Sequence, residues 1–134
     1  MHMMPRAGRT LGIGAVLLTL ALLGCTDLNQ TPFVPVVTNE VDNFDFLVIA
    51  TTATRTVRYT WTTTGGGANV TLASNIASGS ARVTITDGDN TQVFDHALDG
   101  SGATVTSAAT PGNWLIIMTL SGVSGTIHFS LQKP

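Results

Sequence analysis

His96 lies between Asp95 and Asp99, His128 follows Ile127, and Asp87-Gly88-Asp89-Asn90 sets two carboxylates on alternate positions of a short loop. Groups of these types can act as general bases, as imidazole metal ligands or as a hard-cation site. Nucleophilic catalysis would also need a Ser or Thr beside one of the bases, and an oxyanion hole. No G-x-S-x-G elbow occurs, since Gly100-Ser101-Gly102 and Gly122-Val123-Ser124-Gly125 have the wrong spacing. His128 alternates with Ile127 and Phe129 and is expected on a solvent face. His96 is in phase with Phe94 and Leu98, which fits either a half-buried histidine paired with an aspartate or a metal ligand. No second histidine lies at ligand spacing and no H-E-x-x-H is present. Asp87 and Asp89 form the better calcium candidate. As an EF-hand the loop fails, because Gln92 stands where Gly is required and Leu98 where the bidentate Glu belongs. A plain hairpin turn is the simpler reading, so no cofactor and no enzymatic activity are expected.

Two other features could serve binding. Carbohydrate modules stack sugars on exposed aromatics, and Tyr59, Trp61 and Trp114 are the candidates here. Tyr59 and Trp61 share phase with Val57, and Trp114 with Ile116 and Met118, which favours core packing. In residues 114–118 the opposite face is apolar too, through Leu115 and Ile117. Either that strand is covered on both sides, the favoured reading, or Leu115 and Ile117 present an apolar stripe to a partner. Gly65-Gly66-Gly67 lacks the Lys-Ser/Thr of a phosphate loop and reads as a turn.

The single cysteine carries the sharpest chemical signal. Residues 1–10 contain Arg6 and Arg9 and no acid, and residues 11–23 (LGIGAVLLTLALL) form an uncharged apolar run. Gly24 and then Cys25 follow. A positive start, a short apolar core and a small residue at the cut describe a secretory signal. The run is short of the roughly 20 apolar residues of a spanning helix. Leu22-Leu23-Gly24-Cys25 resembles the lipobox of bacterial lipoproteins. That resemblance implies cleavage between Gly24 and Cys25, lipid on the Cys25 thiol and anchoring to a membrane. Thr26 directly follows the cysteine and Asp27 comes second, which in enteric-type bacteria favours the outer over the inner membrane.

Composition narrows the partners. The chain has 134 residues and a net charge of −2, with 10% charged residues. Without the first 24 residues, four basic side chains face eight acidic ones, a net of −4. That balance leaves no footprint for nucleic acid and no polybasic membrane patch. Residues 1–24 are thus read as a lipoprotein signal, 25–40 as a lipidated tether and 41–134 as the domain. Within the tether, Pro32 and Pro35 fit an extended spacer, although residues 33–37 could equally begin an edge strand.

From residue 41 onward, short runs alternate with period two between turn residues. Strands are expected at 43–50, 56–62, 69–73, 81–86, 91–98, 103–107, 113–120 and 126–132. Phe44 and Phe46 share one face, as do Val57, Tyr59 and Trp61, and later Ile127, Phe129 and Leu131. Ser78-Gly79-Ser80 and residues 121–125 read as loops. About eight short strands predict an all-β fold, a small antiparallel sandwich or jelly-roll-like domain.

The run Asp45-Phe46-Leu47-Val48-Ile49, the strand Thr56-Val57-Arg58-Tyr59, the unit Val83-Thr84-Ile85-Thr86-Asp87-Gly88, and the closing pair Pro111-Gly112-Asn113-Trp114 and Gly125-Thr126-Ile127-His128-Phe129 together resemble the bacterial pre-peptidase carboxy-terminal domain. Where that family often has acidic residues entering the central strand, this chain has Ala81-Arg82. The resemblance implies a β-sandwich and a noncatalytic accessory role. The sequence therefore points to an envelope lipoprotein whose domain binds or scaffolds an envelope protein or a glycan. A carbohydrate-binding module and a small envelope hydrolase are the alternatives.

Overall fold

The computed structural model describes residues 32–134, so Gly24 and Cys25 lie outside the described residues. Seven strands follow in order: β1 (Val36–Glu40), β2 (Asn43–Thr63), β3 (Asn69–Ala73), β4 (Asn75–Thr86), β5 (Gln92–Ala97), β6 (Ser101–Val105) and β7 (Gly112–Gln132). Every ladder is antiparallel, and β7 is their hub. It pairs with β2 along its length, with β4 from Leu115 to Thr126 and with β3 through its last residues. β1 and β6 close one part of the sheet, and β5 the other.

One sheet becomes a sandwich because its three longest strands change sides at a common row. In β2 the buried positions are Phe44, Phe46, Val48 and Ala50, then Trp61 and Thr63. In β7 they are Trp114, Ile116, Met118 and Leu120, then Val123, Ile127, Phe129 and Leu131. β4 passes from half-buried Ile76 to buried Ala81, Val83 and Ile85. Side chains alternate with a period of two, so a move from even to odd positions requires an extra residue in each strand. The ladders slip where that residue must lie: between Ala50 and Arg55 in β2, and between Ile76 and Ser80 in β4.

Left-handed backbone makes the corner. Thr52 has φ 46°, Gly79 81°, Gly122 59° and Gly125 141°. A Cβ on Gly79 would run into the carbonyl of Gly122, and one on Gly125 into the carbonyl of Asn75. Backbone N–H groups released by the slips find side-chain acceptors. Thr52 N donates to Ser124 Oγ at 2.9 Å, and Gly122 N to Thr54 Oγ1 at 2.9 Å.

Folding at this row lays two aromatic groups together inside. The Tyr59 ring sits 5.4 Å from Phe44 and 5.9 Å from Phe46, although all three belong to β2. Trp61 and Trp114 are cross-strand partners with rings 5.4 Å apart and nearly perpendicular. Both indoles are fully buried, yet neither N–H is orphaned. Trp61 Nε1 donates to the Glu40 carbonyl at 3.0 Å and Trp114 Nε1 to the Thr110 carbonyl at 2.8 Å.

The all-β sandwich expected from the sequence is present, with its segmentation redrawn. Residues 43–50 and 56–62 are one strand, as are 113–120 and 126–132. The loops expected at 78–80 and 121–125 are bulges inside β4 and β7. Val36–Glu40 is an edge strand paired with β2, so the sheet includes residues assigned to the tether. Pro35 stands just before it, where no ladder N–H is required.

The corner gives a direct mutational test. Gly125→Ala is expected to cost about 1–3 kcal/mol from its backbone conformation alone, with the collision adding to that. Gly102→Ala, whose Cβ would meet nothing, is expected to stay within about 0.5 kcal/mol of wild type. Urea unfolding of the two variants checks the contrast.

Candidate functional site

The outer face of the β2–β7–β4 region bears the apolar stripe. Ile117 pairs with Arg58 on one side and Thr84 on the other; Leu115 pairs with Thr60 and Thr86. Leu115 is 37% exposed and Ile117 is half-buried. The expectation that this strand is covered on both faces is therefore corrected. β7 is central in its ladder, but a two-layer sandwich covers only the inner face, and no described residue lies across the outer one. Beside Ile117 an open depression of about 380 Å³ is lined by Ser80, Arg82, Thr84, Ala97, Thr119 and Ser121, among others. Arg82 Nε holds Asp95 Oδ1 at 2.6 Å on its rim, which raises the already high pKa of the guanidinium. An exposed pair of this kind contributes little to stability and more to the electrostatic character of the rim. This surface can accept a flat or extended partner.

Asp87 and Asp89 are brought together, but as acceptors. Asp87 is nearly buried at the mouth of the β4–β5 hairpin. Its Oδ1 accepts the N–H groups of Asp89 at 3.0 Å and Thr91 at 2.9 Å, and its Oδ2 accepts that of Thr110 at 2.8 Å. Asp89 Oδ2 accepts the Thr110 hydroxyl at 2.8 Å. The N–H donors from Thr110, Thr91 and Asp89 hold the Asp87 carboxyl below its ordinary 3.8. Asn90 supplies the left-handed residue of the turn, with φ 63°. The two aspartates thus knit the hairpin to the loop before β7. Among the described residues, no three His, Cys, Asp or Glu groups converge on a metal-sized site.

His96 is exposed on edge strand β5, stacked on Phe94, with Nδ1 2.6 Å from the Ala97 carbonyl. The half-buried position expected for it is thus corrected, and Asp95, one of its two flanking aspartates, pairs with Arg82 instead. His128 lies on the outer face as expected, with Nε2 2.8 Å from Asp45 Oδ1. Its backbone N–H donates to Ser74 Oγ at 3.1 Å. No histidine ring among the described residues is hydrogen-bonded to a hydroxyl. The core packing favoured for the aromatics is present: Trp61 and Trp114 are both fully buried and pack on each other, and half-buried Tyr59 packs against the core.

One structural group escaped the sequence reading. Asp42, in the β1–β2 turn at φ 66°, accepts Thr63 Oγ1 at 2.8 Å and Thr64 N at 2.7 Å on Oδ1, and Thr64 Oγ1 at 2.8 Å on Oδ2. These bonds, led by the Thr64 N–H, lower its pKa. Its main chain bonds Thr62 and Lys133 too, so both ends of β2 and the end of β7 meet there. An aspartate followed by Asn in a two-residue turn is a weak local signal. Its partners, about twenty residues away, leave no trace in local pattern.

No protein-family model matches the chain, and no curated protein matches it.

A carboxyl whose folded pKa is depressed contributes stability above its ordinary value, and that contribution disappears as pH falls through the folded value. Asp87→Asn is therefore expected to melt at a lower temperature than wild type at neutral pH. Below about pH 4 the gap should narrow, because wild type loses what the variant already lacks. Thermal melts across the acid range check this; parallel curves would contradict it.

Proposed function

We propose that the chain is a lipoprotein of the cell envelope, cut before Cys25 and anchored through lipid on that thiol, whose β-sandwich is a noncatalytic binding or scaffolding module. The observation that carries this reading is the placement of the sole cysteine. It follows Arg6, Arg9, a 13-residue uncharged apolar run and Gly24, in the pattern resembling a lipobox. One acyl chain holds a protein to a bilayer only marginally, whereas two or three, at about 0.8 kcal/mol per buried methylene, hold it stably. Thr26 after the cysteine supports the outer membrane as destination.

The noncatalytic reading draws support from how the domain's polar groups are employed. Asp42 and Asp87 bind backbone and hydroxyl donors of the fold, and Asp45 is bonded to His128. The outer face around Leu115 and Ile117 is the surface on which the module would meet a protein component of the envelope.

Two experiments test these claims. Cys25→Ser is expected to abolish labelling by radioactive fatty acid and to shift the protein from the membrane to the soluble fraction; retained labelling would overturn the assignment. Leu115→Lys is expected to leave stability within about 0.5 kcal/mol, as for most surface changes, while removing crosslinks formed in native membranes. Unchanged crosslinks would count against this face.

A further inference from the structure

Four of the large apolar side chains that the described residues expose are gathered at one place. Val36 and Leu47 are cross-strand partners of β1 and β2, 67% and 37% exposed on the outward side. Ile49, two residues along the same face of β2, is 75% exposed, and Val34, two residues before Val36, is 69% exposed. Continuing the β1–β2 register would set Val34 opposite Ile49. The patch lies beside the corner, at the point where the chain enters the domain.

The rest of this ladder differs in character. Moving away from the corner, the same face carries Thr38 opposite Asp45 and Glu40 opposite Asn43, with Asp45 bonded to His128. The acids of this ladder therefore lie on the side of the patch away from the corner, Asp45 in the row next to Val36 and Leu47 and Glu40 one row beyond. At the patch end stands a cation instead, with Arg55 over the Phe33 ring at 5.0 Å from its centroid. Phe33 packs against the core, and an outward apolar stripe with an arginine at its margin matches the layers of a bilayer surface. Aliphatic groups enter the acyl boundary while the guanidinium reaches phosphate.

Chain length keeps the patch within reach of the bilayer. Eight residue steps separate Cys25 from Phe33. Even fully extended, they span at most about 29 Å. The intervening residues 26–32 read TDLNQTP, with Leu28 alone among them strongly apolar, so they supply little to cover the patch themselves. A domain held this close by lipid samples the bilayer at high effective concentration, and even a weak apolar contact then becomes populated.

We infer that the face formed by Val34, Val36, Leu47 and Ile49 docks on the phospholipid surface, so that the sandwich lies against the membrane corner first. This inference rests on the lipid anchor at Cys25. In that orientation the β2–β7–β4 outer face with Ile117 and the acidic end of β1–β2 remain in water.

Lipidation blocks the sole native thiol, so an introduced cysteine can be labelled uniquely in the full lipidated protein. Bimane would be placed on Val36→Cys, Ile49→Cys, Glu40→Cys and Leu115→Cys. Each protein is reconstituted in vesicles of phosphatidylethanolamine and phosphatidylglycerol, with and without brominated acyl chains, and flotation is recorded on the same samples. Bromine quenching is expected to be several-fold stronger at 36 and 49 than at 40 and 115. Equal quenching at all four positions would overturn the docked orientation. Flotation without quenching at 36 or 49 would overturn the docking face and leave the anchor standing. Failure to float would overturn the anchor and the docking with it. Label-to-label contact at position 49 between protomers would replace the membrane with a second copy of this chain.

Discussion

Three strands add a residue at the same row, and the rest of the domain depends on that coincidence. Without the slips at Ala50–Arg55, Ile76–Ser80 and Leu120–Val123, β2 and β7 would carry the apolar face of their second halves on the wrong side of the sheet. With them, a single sheet folds over and both halves face one core. The requirement falls on small and left-handed residues because neighbouring backbones approach too closely for a Cβ. Gly79 against Gly122, and Gly125 against Asn75, are the tightest points.

The other devices follow from this choice. Folding β2 back brings its two ends together, and Asp42 ties them with bonds to Thr63, Thr64 and the main chain of Thr62 and Lys133. It also lays Tyr59 on Phe44 and Phe46, which with the edge-to-face tryptophan pair of the β2–β7 ladder gives a small domain a large aromatic core. The outer faces remain: one around Ile117, the other the Val34–Ile49 patch beside the corner. The patch stands next to the point of chain entry because β1 runs antiparallel to β2, which places residue 34 near the corner and residue 40 far from it. One geometric decision thus sets both the core and the edge that a lipid tether would bring to the membrane.

Local pattern revealed the fold class, because two-residue alternation survives in each half-strand. Phe44 with Phe46, and Ile127 with Phe129, were each readable as inward sets. The connection between halves was not readable, since a bulge containing Gly and Ser has the composition of a turn: Ser78-Gly79-Ser80 and Ser121-Gly122-Val123-Ser124-Gly125 resemble loops until their ladder partners are known. The tryptophans' burial followed from phase. The uncovered outer face of Leu115 and Ile117 did not, because a strand apolar on both sides fits a covered position as well as an open one. Asp87 was legible as a turn residue, while its bond to Thr110 depends on a contact 23 residues away.

The folded-back strand is the claim on which the core, the corner and the placement of the patch all rest. Fifteen residues separate Phe44 from Tyr59 in β2, and an unbroken strand would hold them about 50 Å apart. The folded strand puts their ring centroids at 5.4 Å. Tyr59 is the only tyrosine in the sequence, so its ring protons can be identified without ambiguity. A nuclear Overhauser spectrum of the domain tests the point directly. Cross-peaks from the Tyr59 ring to the rings of both Phe44 and Phe46 are expected. Cross-peaks to its ladder neighbour Ile116 alone, with none to either phenylalanine, would contradict it.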